Sequence, residues 1–215
     1  MSSSVTGMPA KSNHRAIVGQ RRRAATESRI LQAAIKVFAE LGADVPVIDD
    51  FIRESGVSRG TFYNYFKSTR ELLDATIETI LTAANSHIEQ ALAGLDGPAE
   101  RMAGALVLYL SLAAADRDFA RFMSKIPYAG VSARRSLETD LEHGREAGDF
   151  NFRSREIADD LVLGTMQQSF RRVIDHKPAA GWAEEVAAAI LRGLGASEQR
   201  IIETYAKLSL HRARV

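Results

Sequence analysis

The sequence contains no cysteine, and its 215 residues include only five prolines and one tryptophan. The lack of cysteine excludes disulfide bonds, thiolate metal sites and cysteine nucleophiles, and it fits a reducing compartment. No apolar run approaches the roughly 20 residues that a membrane-spanning helix needs. The N-terminus also lacks the apolar segment of a signal peptide. These absences leave a globular protein of ordinary composition, 46% hydrophobic and 26% charged.

The net charge of +1 hides an uneven distribution along the chain. Through Arg70 there are 11 lysines and arginines against 6 acidic residues, whereas the remainder holds 17 against 21. The first 26 residues contain five basic residues and no acidic one. A basic end on an acidic body indicates that this end approaches a polyanion, although a solvated tail would give the same pattern.

Apolar residues recur at helical spacing along almost the whole chain, without a convincing alternating run bounded by hairpin turns. The sequence therefore predicts an all-α protein. Residues 1–23 read as a disordered basic arm, 24–72 as a three-helix head with a helix-turn-helix, and 73–215 as a larger helical bundle. Turn and capping residues place the helices at about residues 26–41, 47–55, 59–66, 68–94, 98–115, 116–126, 132–147, 155–176 and 181–194, with a last short one after residue 196.

The stretch GVSRGTFYNYFKSTRELL, residues 56–73, concentrates four aromatic rings in five positions. At 100° per residue, Phe62 and Phe66 fall on one face as the i, i+4 pair typical of a core. Short or polar side chains lie opposite, with a tyrosine at each border; a merely solvated helix is the alternative. The residues expected to contact DNA phosphates or base edges are Arg59, Gly60, Thr61, Tyr63, Asn64, Tyr65, Lys67 and Arg70.

Two segments, RILQAAIKVFAELG and IRESGVSRGTFYNYFKSTRELL, resemble the N-terminal DNA-binding domain of the TetR family of bacterial transcriptional regulators. The resemblance covers about residues 25–75. Farther along, LEHGREAGDF and ADDLVLGTMQQSFRRVI resemble the family's ligand-binding and dimerisation domain, so residues 73–215 are expected to have those roles. The resemblance implies a cytoplasmic homodimer, nucleoid-associated when bound to DNA. It implies a repressor released from a pseudo-palindromic operator by an apolar small molecule.

The chain departs from the family pattern at two places. The usual Thr-Thr pair that caps the second helix and touches phosphate is replaced by Pro46 and Val47, which leaves that cap and contact open. A lysine is usual near the start of the fourth helix, where this chain has Thr69 with Arg70 beside it. Both departures bear on the affinity for DNA.

The predicted helix over residues 98–115 is apolar almost all round, which predicts a central place in the body. An apolar ligand cavity or a filled core would use the same neighbouring side chains, and the family resemblance implies a cavity. The residues expected to line it are His87, Met102, Leu106, Tyr109, Phe122, Met123 and Met166.

Small and apolar residues on the last long helices predict close helix packing. Two alternatives would use the same positions: packing of these helices within one chain, or a two-fold dimer in which each subunit contributes two helices to a four-helix interface. The family resemblance favours the dimer. The residues expected at a dimer interface are Leu161, Gly164, Gln168, Trp182, Val186, Ala189, Ile190 and Gly193.

Motifs of catalysis are missing from the sequence. The five histidines lack metal-ligand spacing, and there is no P-loop or dinucleotide-binding fingerprint. We therefore expect no enzyme activity, no catalytic residues, no metal and no cofactor. Two alternatives to an effector-controlled regulator remain, an architectural DNA-binding protein without an effector and an α-helical enzyme.

Overall fold

The computed structural model describes residues 10–126 and 131–213, and within these ranges the chain is helical without a strand. Residues 1–9 of the expected arm, and Pro127, expected to end the sixth helix, lie outside the described residues. The all-α prediction is confirmed. The helices are α1 (Ala10–Leu41), α2 (Ile48–Ser55), α3 (Arg59–Tyr63), α4 (Thr69–Ala91), α5 (Pro98–Ala115), α6 (Arg117–Lys125), α7 (Val131–Glu146), α8 (Arg155–Asp175), α9 (Trp182–Gly193) and α10 (Glu198–Arg212).

The helix α1 is longer than the sequence analysis predicted, which corrects the expectation of disorder over residues 10–23. It begins at Ala10 and continues unbroken through the predicted first helix. Its second half is anchored by Ile30 and Phe38, which are fully buried. An anchored helix extends readily, because each further residue adds a hydrogen bond without the cost of a new nucleus. The run RRRAA also has high helix propensity.

Helices α1 to α3 form the head around a small aromatic core. Phe38, Phe51 and Phe62 are fully buried, and the ring centroids of Phe38 and Phe51 lie 4.9 Å apart. Between α2 and α3, Gly56 adopts φ 64°, a left-handed conformation that favours glycine. The Ser58 hydroxyl then accepts a hydrogen bond from the backbone three residues on, which caps α3. This is the predicted helix-turn-helix.

A carboxylate caps α2 in place of the hydroxyl usual in the resembled family. The N–H of Val47, the N-cap residue, donates to Oδ2 of Asp50 at 2.9 Å. Asp50 also pairs with Arg53 at 2.6 Å. These two hydrogen bonds, the one from Val47 first, lower the pKa of the Asp50 carboxyl. The start of α2 is therefore held by an acidic side chain.

Two helix ends differ from the prediction. The helix α3 ends at Tyr63 rather than residue 66, because the chain tightens and the N–H of Tyr65 bonds to the carbonyl of Phe62 at 2.9 Å. The last helix, α10, is not short but 15 residues long. Its inner face buries Ile201 and Leu208, which provides the packing that a helix of this length needs.

The apolar helix α5 lies at the centre of the body, as predicted, and packs against α4 and α6 to α10. At its first turn, Glu100 is buried and accepts hydrogen bonds from Arg200 at 2.9 and 2.7 Å. Lys207 lies 2.8 Å from Glu100, and Asp149 lies 2.6 Å from Arg200. Burial alone would raise the pKa of Glu100, but the hydrogen bonds from Arg200 and Lys207 lower it to about 2. This cluster fastens α10 to α5.

The head is attached to the body at two places. Helix α4 starts beside the head and runs into the body, and helix α6 packs along α1. At the second contact, Nζ of Lys125 donates a hydrogen bond to the backbone carbonyl of Glu40 near the end of α1. Helix α6 also packs on α8. The position of the head therefore depends on two helices that belong to the body.

Candidate functional site

The helix α3 has one buried and one open face. Phe62 and Phe66 are 0% and 4% exposed, which confirms the prediction that they belong to the core. Gly60 and Asn64 are exposed, and Thr61 is half-buried. A Cβ added at Gly60 would meet no atom within 4 Å. The outward face is thus flat and polar enough for a duplex to approach the backbone closely.

The polar groups of this face have the chemistry of base readout. Asn64 ends α3 and acts there through its backbone N–H, while its side chain is exposed. An exposed amide can pair bidentately with adenine in a major groove. Tyr63 and Tyr65 are half-buried at the borders, where a phenol can rest its ring on the protein and offer its hydroxyl to phosphate.

The basic residues of the site already have partners within the chain. Arg59 forms an ion pair with Asp49, and Nζ of Lys67 donates to the carbonyl of Tyr63. Arg70 pairs with the acid one turn along α4 at 3.2 Å. All three basic side chains are exposed. Because exposed pairs contribute little, a phosphate can replace these partners at small cost.

The N-terminal turns of α1 lie against α3. The hydroxyl of Tyr65 donates to the carbonyl of Arg23 at 3.3 Å, and the Arg23 guanidinium lies 5.5 Å from the centroid of the Tyr65 ring. An open groove separates the two helices. Its lining residues are Gly19, Arg22, Arg23, Thr26, Thr61, Asn64 and Tyr65. Residues expected to form a disordered arm therefore form one wall of the candidate DNA surface.

The start of α2 is poorly suited to a phosphate. The N–H of Val47 is already bonded to Asp50, and Asp49 adds a second carboxylate beside it. Val45 and Val47 are 66% and 60% exposed and offer no hydroxyl. Negative charge and apolar surface thus stand where the resembled family normally presents a Thr-Thr pair.

The body contains a cavity of about 220 Å³ between α4, α5, α7 and α8. Of the predicted ligand-binding residues, Met102, Leu106, Tyr109 and Met166 line it. His87 is exposed on α4, while Phe122 and Met123 are buried on α6, and none of these three lines the cavity. The lining residues are Leu81, Asn85, Ile88, Glu89, Met102, Ala105, Leu106, Tyr109, Leu137, Asp140, Val162, Leu163 and Met166.

The apolar wall of the cavity is interrupted by four polar side chains. The hydroxyl of Tyr109 donates to Oδ1 of Asn85 at 2.6 Å, and burial raises the pKa of Tyr109 to about 12. Glu89 accepts two hydrogen bonds from Arg101, at 2.8 and 2.7 Å. Burial raises the pKa of Asp140, the charge of Glu89 raises it further, and Arg101 and His143 oppose both effects. The cavity is therefore less apolar than the sequence analysis predicted.

Helices α8 and α9 leave a shallow surface groove between them. Five of the predicted dimer residues line it, and the other lining residues are polar. A Cβ at Gly164 would meet no atom within 4 Å, so this face is open. The five residues are Gly164, Gln168, Trp182, Val186 and Ala189.

The other three predicted dimer residues are used inside the chain. Ile190 is 1% exposed and belongs to the core. A Cβ at Gly193 would lie 2.5 Å from a methyl group of Leu161, so these two residues form the close contact between α8 and α9. Their small or apolar character is explained by packing within one subunit, which is the alternative that the sequence left open.

Across residues 10–126 and 131–213, no helix is both long and apolar enough to cross a membrane. The same ranges contain no cluster of three or more His, Cys, Asp or Glu side chains placed to hold a metal ion.

Residues 30–76 match the family model described as bacterial regulatory proteins, tetR family. The chain is 42% identical over 66 residues to the uncharacterized HTH-type transcriptional regulator YvdT of Bacillus subtilis (strain 168). These residues make up 31% of this chain and 34% of that protein. It is 33% identical over 90 residues to the HTH-type transcriptional regulator HbdR of Aromatoleum sp. (strain CIB), or 42% of this chain and 39% of that protein.

Solved structures extend the likeness over the body. RolR in complex with the ligand resorcinol has a TM-score of 0.62 and 26% identity, covering 86% of this chain and 94% of that one. A putative tetR family transcription regulator from Shewanella sp. PV-4 has a TM-score of 0.64 and 18% identity, over 77% and 95% of the two chains. The second likeness shows the shared fold. The head of this chain is therefore similar to the DNA-binding domain of the tetR family, and most of the chain is similar in fold to solved regulators.

These matches confirm the resemblance found in the sequence, and the two relatives are named as HTH-type transcriptional regulators. The chain matches about a third of the length of YvdT and two fifths of HbdR. In the body, sequence reasoning missed Asn85, Glu89 and Asp140 in the cavity. The available signal was the pair Asn85 and Glu89, one turn apart beside the apolar stripe of α4.

Proposed function

We propose that this protein is a homodimeric, sequence-specific DNA-binding repressor of the TetR family, released from a pseudo-palindromic operator by a small and largely apolar molecule. The outward face of α3 is the observation that carries the proposal. Two buried phenylalanines fix the helix, so Gly60, Thr61 and Asn64 are left facing outward. In a helix-turn-helix, such a face enters the major groove and reads base edges.

Basic residues around α3 would supply the sequence-independent part of the affinity. Arg59, Lys67 and Arg70 border the helix, and each would exchange an exposed intramolecular partner for a phosphate. Arg22 and Arg23 extend this basic border along α1. These two arginines would supply phosphate contacts in place of the one that the acidic start of α2 does not provide.

A dimer would present two copies of α3 to successive major grooves about one turn, or ~10 base pairs, apart. The groove between α8 and α9 supports this arrangement, because its small and exposed residues allow close approach of a second copy. Ala189→Glu in this groove should convert the dimer to a monomer. The control, Ala206→Glu at an exposed position of α10, should remain dimeric by light scattering. A wild-type protein that is monomeric at micromolar concentration would contradict the dimer.

The cavity supports control by a small molecule. Helix α4 lines it with residues such as Leu81 and Ile88 and also leads directly to the head. Helix α8, which lines it with Met166, packs on α6, and α6 packs on α1. An occupant that separates these helices would move the heads, and a coupling of about 1–3 kcal/mol changes DNA affinity roughly 5–150-fold. RolR, similar in fold, binds resorcinol, which makes that compound the first to test.

Selection of binding sites from random duplexes tests the proposed function. The purified protein should enrich an inverted repeat whose half-sites lie about one helical turn apart. Resorcinol at millimolar concentration should then release the enriched duplex, measured by fluorescence anisotropy at fixed salt. Enrichment of no sequence would overturn the DNA-binding proposal. Enrichment without release by resorcinol or a broader compound panel would favour an architectural role.

A further inference from the structure

We infer that the cavity selects a compact, ring-sized molecule that carries a hydroxyl or amino hydrogen-bond donor, and that it rejects carboxylates and long acyl chains. The inference rests on the proposed function, in that the cavity is assumed to bind an effector. It adds the chemical class of that effector.

The size of the cavity sets the first limit. Its volume of about 220 Å³ lies between α4, α5, α7 and α8. A dry apolar cavity of about 150 Å³ in another protein holds benzene, so this one can hold a substituted six-membered ring. A long acyl chain would need the helices to separate. Met102 and Met166 contribute flexible side chains that adjust to the faces of such a ring.

The polar groups of the cavity set the second limit. A carboxyl and a phenol oxygen are open as acceptors, and only the amide N–H groups of Asn85 stand against them as donors among the described lining residues. Tyr109 gives its proton to Asn85, which leaves the phenol oxygen as an acceptor. Glu89 is occupied by the two hydrogen bonds from Arg101. Among the described residues, Asp140 receives no hydrogen bond, so its carboxyl oxygens are the main acceptors open to a ligand.

The charge of the lining sets the third limit. Glu89 and Asp140 are its ionisable acids, and the described lining residues include no lysine or arginine. A carboxylate ligand would lose its hydration and face like charge, because the nearby cation Arg101 is already paired with Glu89. A hydroxyl or amino group would instead donate to Asp140. Burial raises the pKa of Asp140 in spite of the opposing charge of Arg101, which is consistent with an acid in a poorly solvated position.

Three probes that share one ring test this inference: phenol, toluene and benzoate. Calorimetry on the full-length protein without DNA should give phenol an affinity about tenfold or more above that of toluene, because a hydrogen bond to a charged group is among the stronger kinds. Benzoate should not bind. Comparable or tighter binding of benzoate would overturn the inference, as would equal binding of phenol and toluene or no binding of any probe.

Variants assign the preference to Asp140. Asp140→Leu should reduce the ratio of phenol to toluene affinity to about one, whereas Glu138→Leu, at an exposed acid on the same helix, should leave the ratio unchanged. A ratio unchanged in Asp140→Leu would contradict the role of this carboxyl. Tyr109→Phe gives a second readout: because phenol donates its one proton to Asp140, removal of the Tyr109 hydroxyl should leave the affinities for phenol and toluene within about twofold.

Failure of the inference can be separated from failure of the proposed function. Ligand selectivity is measured without DNA, and DNA release is measured separately on the selected duplex. If phenol binds with the expected selectivity and the DNA complex persists at saturation, the ligand class stands and release by this class is wrong. If benzoate both binds and releases DNA, the proposed control by a small molecule stands and the ligand class is wrong.

Discussion

The head and the body place their polar side chains differently relative to their apolar residues. In the head, Phe62 and Phe66 point inward, so that the polar residues of α3 face solvent. In the body, Asn85, Glu89 and Asp140 line a cavity between four helices, with Glu89 at its exposed edge. An open polar face with exposed cations suits a large polyanion, whereas an enclosed lining with few free groups suits a small molecule. The difference indicates which partner each half of the chain is built to bind.

Replacement of Phe62 tests the buried half of the head and should have the largest effect. Phe62→Ala leaves a cavity in a small core and should cost about 3–5 kcal/mol of stability. The head should lose amide protection, measured by hydrogen exchange over α1 to α3, and with it DNA binding. Val47→Ala, at a 60% exposed position, should change stability by less than about 0.5 kcal/mol. Equal protection in the two variants would show that α3 is not held by this ring.

Replacement of Glu100 tests the corresponding anchor of the body. The folded-state pKa of Glu100 is lowered to about 2 from 4.5, so its contribution is present above pH 4.5 and lost as pH falls toward 2. Glu100→Gln should therefore cost about 3 kcal/mol at pH 7 and show a weaker loss of stability between pH 5 and 2 than the wild type.

Urea unfolding at several pH values measures this effect, and Glu198→Gln is the control. Glu198 also faces an arginine, Arg192, but both side chains are exposed, so the variant should be about as stable as the wild type. If Glu100→Gln and the wild type lost stability in parallel below pH 5, the ion cluster would not be an anchor of the body.

Removal of charge from α1 tests whether the head extends beyond the helix-turn-helix. Arg22→Ala with Arg23→Ala should weaken binding to all duplexes similarly and reduce the slope of log affinity against log salt by about 2. The control pair, Arg192→Ala with Arg212→Ala, makes the same change in net charge on the body and should leave the slope unchanged. Equal slopes for the two pairs would show that only the total charge matters.

Much of the head could be predicted from the sequence, because it rests on local rules. The pair Phe62 and Phe66 follows from helical spacing, and the cap at Ser58 from its hydroxyl. The prediction failed at residues 10–23, where local composition suggested disorder and attachment to a packed helix decided otherwise. The end of α3 was also predicted wrongly, at residue 66 instead of Tyr63, because the aromatic residues continue through the tightened turn and the sequence pattern does not reveal it.

The cavity was less predictable, because it depends on how four helices meet. Met102 and Tyr109 were identified from the apolar character of α5, but Phe122 and Met123 have the same character and pack elsewhere. The separation of Asp140 on α7 from Asn85 on α4 conceals their proximity in the fold. Ile190 shows the same limit in the candidate dimer surface, since periodicity does not distinguish an inner face from a surface available to a partner.

The most direct test measures which base Asn64 recognises. The wild type and Asn64→Ala are compared on the selected duplex and on all of its single-base variants at one salt concentration. The variant should lose about 1–3 kcal/mol of discrimination at one position in each half-site and keep the preferences elsewhere. An unchanged profile at every position would contradict the claim that the outward face of α3 reads the DNA sequence.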